Sequence, residues 1–186
     1  VYPINPHARE ILNRRAYPTV LELKDKIDLA VIAVPSKIVP LVMHDCVDKG
    51  VKTAVIITSG FSEIGENRLE LEVKSIAEEK NIRVCGPNCL GIYDAHSGVD
   101  TLFLPTEKLR RPKQGNIALV SQSGAVGSVI LDWVGYEGYG ISKFISYGNG
   151  IDVSESDFIE YLVQDDHTDV ICLYLEGTKN GRRLMH

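Results

Sequence analysis

The chain has 186 residues, 44% of them hydrophobic and 24% charged, with a formal net charge of −5, so it can bury a core as one large domain or two small ones. Its Lys and Arg residues are dispersed, and without a basic stripe to neutralise phosphates a nucleic-acid partner is excluded. No apolar run approaches the ~20 residues of a membrane-spanning helix and no signal-peptide pattern occurs, so the sequence reads as soluble and cytoplasmic, with no membrane partner.

In chain order, residues 1–4 are predicted as a strand, 7–12 as a short helix and 21–24 as a helical turn. LAVIAV (29–34), AVIIT (54–58) and, more weakly, IRVCG (82–86) are short, β-branched, continuous apolar runs, the pattern of parallel strands buried on both faces. Between them, 38–49 places Ile38, Val39, Val42, Met43 and Cys46 on one helical stripe, and 68–80 does the same with Leu69, Val73, Ile76 and Ala77. Alternating strands and helices require crossover connections, hence a parallel sheet. Residues 94–114 break the alternation with turn formers, a short strand candidate in TLFL (101–104) and a basic cluster, Lys108, Arg110, Arg111 and Lys113, that reads as a solvated loop. Strands over 116–120, 142–146 and 170–175 then alternate with helices over 125–136 and 155–163. The fold class is α/β: a Rossmann-like domain over 1–112, lacking its first strand and glycine-rich turn, then the first part of a flavodoxin-like parallel domain over 113–186.

The four cysteines, Cys46, Cys85, Cys89 and Cys172, form no CxxC pair and read as reduced thiols. No metal site is expected. No GxGxxG occurs, which weakens a nicotinamide-dependent oxidoreductase.

In open α/β sheets ligands bind beyond the carboxyl ends of the strands. The residues there are Asn5-Pro6, Val34-Pro35-Ser36, Thr58-Ser59-Gly60-Phe61, Gly86-Pro87-Asn88-Cys89, Ser121-Gln122-Ser123-Gly124, Gly148-Asn149-Gly150 and Glu176-Gly177. Taken singly, each reads more readily as a plain turn. VSQSGAVG (120–127) places two serines where a strand hands over to a helix, and unsatisfied N–H groups with the helix dipole make that position attractive to a phosphate. A hydrolase elbow, GxSxG, would need glycines where Ser121 and Ala125 stand, and only His167 and His186 follow as candidate bases.

Taken together, NPHA, AVPSK, ITSGFSE and GPNCLG resemble the CoA-binding domain of the NDP-forming acyl-CoA synthetases, and SQSGAVG, YGNGID and LYLEG resemble the domain that follows it there. The resemblance is to the ADP-forming acetyl-CoA synthetases, with succinyl-CoA synthetase as a cousin. It implies an acid–CoA ligase that interconverts acyl-CoA, ADP and phosphate with acid, CoA and ATP through an acyl phosphate and a phosphohistidine. ATP/ADP and Mg are expected on an ATP-grasp subunit or fused domain, with CoA and a small carboxylic acid as ligands and an oligomeric assembly.

By that resemblance Asn5, His7, Val34, Pro35, Ser36, Thr58, Ser59, Gly60, Pro87, Asn88 and Cys89 line the CoA site. Ser121, Gln122, Ser123, Gly124 and Ala125 receive the phosphate, and Glu176 holds the active histidine. None of His7, His44, His96, His167 and His186 matches the family's phosphohistidine motif, so that histidine is expected outside these residues and the chain alone is expected to be inactive. Two rival readings stay open: a CoA-binding regulatory module of a fused acetyltransferase, and a Rossmann oxidoreductase using NAD.

Overall fold

The computed structural model describes residues 1–185; His186, named above as a candidate base, lies outside them. The N-terminal segment departs from expectation. Residues 7–12 do not form a helix: β1 (Glu10–Ile11) and β2 (Arg14–Arg15) make an antiparallel hairpin. Leu12 and Asn13 take φ of 50° and 59° at its tip, two consecutive left-handed residues of the kind a two-residue hairpin turn demands and a right-handed helix forbids. The strand expected over 1–4 reduces to one isolated parallel bridge between Ile4 and Tyr17. Val20–Glu22 form a 3-10 turn, capped by the Thr19 hydroxyl, which accepts the Leu21 N–H.

β3 (Leu29–Ile32), β4 (Thr53–Ile56) and β5 (Arg83–Cys85) then form a parallel sheet with β4 at its centre. The connecting helices are α1 (Val39–Lys49) and α2 (Asn67–Lys80), which pack against each other and end at left-handed Gly50 and Asn81. The N–H groups of those two residues return to carbonyls of the last turn. Val39, Met43 and Cys46 from α1 and Val73, Ile76 and Ala77 from α2 meet Ile56, Phe61 and Val84 in one core, as the 3.6-residue spacing predicted.

The second sheet holds β6 (Gly91–Asp94), β7 (Gln114–Ser121), β8 (Ile141–Ser146) and β9 (Val170–Tyr174) in the order β6-β8-β7-β9. β7, β8 and β9 are parallel, whereas β6 runs antiparallel to β8, pairing Gly91 with Ser146 and Asp94 with Lys143. α3 (Gly124–Tyr136), α4 (Glu155–Leu162) and α5 (Gly181–Leu184) complete the described elements.

TLFL is not a strand. Its stretch is held by Arg111, whose guanidinium pairs with Asp100 at 2.6 Å and donates to the Leu104 and Leu109 carbonyls. That side chain is 12% exposed, so one member of the supposedly solvated cluster is a structural brace. A buried ion pair, Lys143 to Asp165 at 2.6 Å, ties β8 to the chain just after α4. An apolar cluster joins the two sheets: Val55, Cys85 and Cys89 pack with Ala118, Val120, Ile145, Tyr147 and Leu162.

Candidate functional site: a cleft between the two sheets

The carboxyl ends of β3, β4, β5, β7, β8 and β9 converge on an open cleft of about 1130 Å3. One wall starts at α3. Ser123 is its N-cap, in extended backbone with φ −87° and ψ 122°, and its hydroxyl oxygen accepts the Val126 N–H at 3.3 Å while its carbonyl accepts the Gly127 N–H at 3.0 Å. Among the described residues no protein acceptor meets the N–H groups of Gly124 and Ala125, both of which line the cleft. A 13-residue helix thus points two open donors and its positive end at the cavity.

Ser121 does not join them. It is fully buried and donates its hydroxyl to the Ser123 carbonyl at 2.6 Å, shaping the turn from behind. The α3 axis can come this close because residue 127 is glycine: a Cβ there would stand 2.9 Å from the Ser121 Cβ and 3.0 Å from the Phe144 ring. Gln122 lines the cleft, and its side-chain oxygen accepts the Glu176 and Gly177 N–H groups at 2.8 and 3.1 Å. Its carbonyl oxygen is therefore a clamp that sets the backbone of Glu176, whose residue lines the same cavity. Further along that loop, Thr178 donates to buried Glu155, and Lys179 donates to the Asn149 and Gly150 carbonyls at 2.9 and 3.0 Å.

The facing wall belongs to the first sheet. Thr58 donates its hydroxyl to the Val34 carbonyl at 2.7 Å, tying two strand ends together beside Pro35, Ser36 and Ser59. The Gly60 and Phe61 N–H groups are already occupied, because the Glu63 carboxylate accepts both. Burial pushes the Glu63 carboxyl up, but hydrogen bonds from Asn149, Gly60 and Phe61 outweigh it and hold it below its usual range. Asn88, left-handed at φ 58°, donates its N–H to the Thr58 carbonyl. Cys89 is 3% exposed and donates to the Ile56 carbonyl at 3.2 Å. Its neighbour Cys85, a free thiol hydrogen-bonded to the Cys89 side chain and buried, is pushed well above the usual thiol range, and burial raises Cys46 to about 11. Neither raised thiol is a nucleophile at neutral pH.

Of the residues expected from sequence, Val34, Pro35, Ser36, Thr58, Ser59, Asn88, Cys89, Gln122, Ser123, Gly124, Ala125 and Glu176 line one cavity. Gly60, Pro87 and Ser121 are not among its lining residues, and neither are Asn5 and His7, where the Asn5 side chain simply accepts the His7 N–H at 2.8 Å. Sequence reasoning passed over Ser62, Glu63, Glu70, Phe103, Leu104, Ser128 and Lys179, and named Asn149 only as a strand-end residue. Among the described residues no three His, Cys, Asp or Glu side chains converge as a metal site, and no helix is long and apolar enough to cross a membrane.

Residues 1–95 match the family described as CoA binding domain, and residues 114–186 match the family described as succinyl-CoA ligase like flavodoxin domain. Acetate–CoA ligase [ADP-forming] of Methanocaldococcus jannaschii is 47% identical over 99% of the chain. The chain belongs to the CoA binding domain family, with a succinyl-CoA ligase like flavodoxin domain following. Two other proteins are similar over nearly the whole chain. Acetate–CoA ligase [ADP-forming] II subunit alpha of Pyrococcus furiosus is 42% identical over 100% of it. The dinucleotide forming acetyl-coenzyme A synthetase 1 of Ca. Korarchaeum cryptofilum, in its apo form, superposes with a TM-score of 0.92 at 41% identity over 99% of it, and a structure with phosphate and ADP exists for that protein. The chain spans 26% of the first relative and 40% of each of the other two.

Proposed function

We propose that these residues form the CoA-binding part of an ADP-forming acyl-CoA synthetase, with CoA along the wall of Val34, Ser36, Ser59 and Asn88 and a phosphoryl group at the N-terminus of α3. One observation carries the reading: two open backbone donors, Gly124 and Ala125, share a cleft with a carboxylate whose own backbone is clamped in place, Glu176. Open amides at a helix start bind a tetrahedral anion without side-chain charge. A carboxylate beside them is suited to accept the N–H of an imidazole, fixing its tautomer and orientation. The imidazole would come from outside these residues, and an ATP-grasp domain or subunit would supply ATP/ADP and Mg. The alpha-subunit name of the Pyrococcus relative supports a partner of that kind. The division of labour follows the two domains, 1–112 for CoA and 113–186 for phosphate, with a small carboxylic acid as co-substrate and an oligomer as the working form.

Calorimetric titration of the chain with CoA tests the first half: saturable one-to-one binding is expected, with none for NAD, and binding of NAD without CoA would sink the reading. In the complete enzyme, Glu176→Gln is expected to lower turnover about 100-fold or more, since misorienting a catalytic imidazole has costs of that order. Unchanged turnover would remove Glu176 from the mechanism.

A further inference from the structure

The loop after β8 reaches across the cleft. Gly148 at its start has φ 56°, and a Cβ there would stand 2.2 Å from the Asn88 carbonyl oxygen and 2.3 Å from that of Pro87, so the two loops are in backbone contact that only glycine permits. Asn149 follows, and every polar group it owns is engaged. Its N–H donates to the Pro87 carbonyl at 3.0 Å, and its carbonyl accepts the Lys179 ammonium at 2.9 Å. Its side-chain oxygen accepts from Asn88 at 3.3 Å. Its side-chain nitrogen lies 2.8 Å from a Glu63 carboxylate oxygen, 2.7 Å from a Glu70 carboxylate oxygen and 3.2 Å from the Ser62 hydroxyl.

These partners come from different parts of the cleft. Asn88 belongs to the loop after β5, Ser62 and Glu63 to the turn before α2, Glu70 to α2 itself, and Lys179 to the loop that carries Glu176. One amide nitrogen thus holds two carboxylates of the first domain together, while the same residue's backbone anchors the segment on which Glu176 sits. An aspartate would keep the backbone bonds and an acceptor for Asn88, but it offers a further acceptor where Glu63 and Glu70 need a donor.

We infer that Asn149 is a positioning residue, which fixes the spacing between the CoA wall and the phosphate-binding wall so that groups bound on each meet in register. The inference rests on the functional reading above. It differs from a purely structural role in what it expects of kinetics: each half-site persists without Asn149, but their alignment does not, and small misplacements of reacting groups cost rate more than affinity.

The test is made in the complete enzyme with CoA, phosphate and ADP assayed separately. Asn149→Ala is expected to lower kcat at least tenfold while the KM values for CoA and phosphate move less than threefold. Asn149→Asp adds a third carboxylate beside Glu63 and Glu70, with Lys179 the nearby cation. Its activity relative to wild type is expected to rise several-fold between pH 8 and pH 6, as a proton on the cluster restores a donor, and adding Glu63→Gln to that variant should recover at least threefold at pH 8. A pH profile parallel to wild type with no recovery by Glu63→Gln overturns the inference, as does an unchanged kcat in Asn149→Ala. If Asn149→Ala fails to fold, the Asn149→Asp profile and its rescue still decide. Failure of the wild-type protein to bind CoA at all would instead strike the functional reading itself.

Discussion

The two junctions at which a central strand hands over to a helix, after β4 and after β7, present the cleft with opposite faces. Both expose backbone N–H groups beyond the strand end, as the physics of a chain leaving a sheet requires. After β4 the chain inserts a 3-10 turn, and Glu63 from that turn folds back onto the Gly60 and Phe61 amides, so the anion is already supplied from within. After β7 the helix starts at once, Ser123 caps Val126, and the Gly124 and Ala125 amides stay open. The contrast teaches that a glycine-containing strand-to-helix turn is not by itself an anion site. What decides is whether the chain has placed its own carboxylate there first.

Removing one of the open donors should break this contrast most visibly. Proline at the first helical position keeps a helix intact while deleting its N–H, and the extended backbone of Ser123 suits a following proline. Gly124→Pro is therefore expected to weaken binding of inorganic phosphate by about 10- to 100-fold, the worth of one hydrogen bond to a charged group, with unfolding stability little changed. Phosphate titrations followed by NMR at the Ala125 amide would show it, and unchanged affinity would place the anion elsewhere.

Ser123→Ala acts on the same junction through the cap rather than the ligand. It is expected to cost about 1 kcal/mol of stability by urea melting, because Val126 loses its acceptor. A change within error would mean water replaces the hydroxyl.

The smallest effect is on the self-satisfied junction. Glu63 sits below its usual range in the folded protein, so its contribution to stability is full above the ordinary glutamate value and fades as pH falls through the lowered one. Glu63→Gln should therefore be slightly less stable than wild type at pH 7, by a margin that shrinks as the pH falls below the ordinary glutamate range. Melts over a descending pH series check this, and a gap that widens on acidification would contradict the hydrogen-bonding account.

Much of this arrangement was legible in the residues. Three apolar β-branched runs marked the first sheet, but burial on both faces holds only for the central strand: Ala54, Val55 and Ile56 of β4 are buried, whereas Leu29 and Val31 of the edge strand β3 are exposed. The positions just past each strand named most of the cleft because the parallel topology brings those ends together. Local conformation was harder: nothing in the apolar spacing of 7–12 announces that Leu12 and Asn13 turn left-handed, and GIYD is too short to be told from the turn before it. The cleft residues contributed by α2 and its preceding turn were illegible for another reason. Glu70 reaches Asn149 across 79 positions and Glu63 reaches it across 86, and no periodicity records a pairing of that range.

The antiparallel strand β6 has a practical consequence. It follows the last strand of the first sheet after five residues, yet it forms the edge of the second sheet, and the connector to β7 comes only afterwards. A cut anywhere in that connector would leave the second piece without its border strand and the first piece carrying one with nothing to pair. The halves would be complementary fragments that regain their fold only by recombining, because the two sheets are jointed by a borrowed strand and not by a hinge.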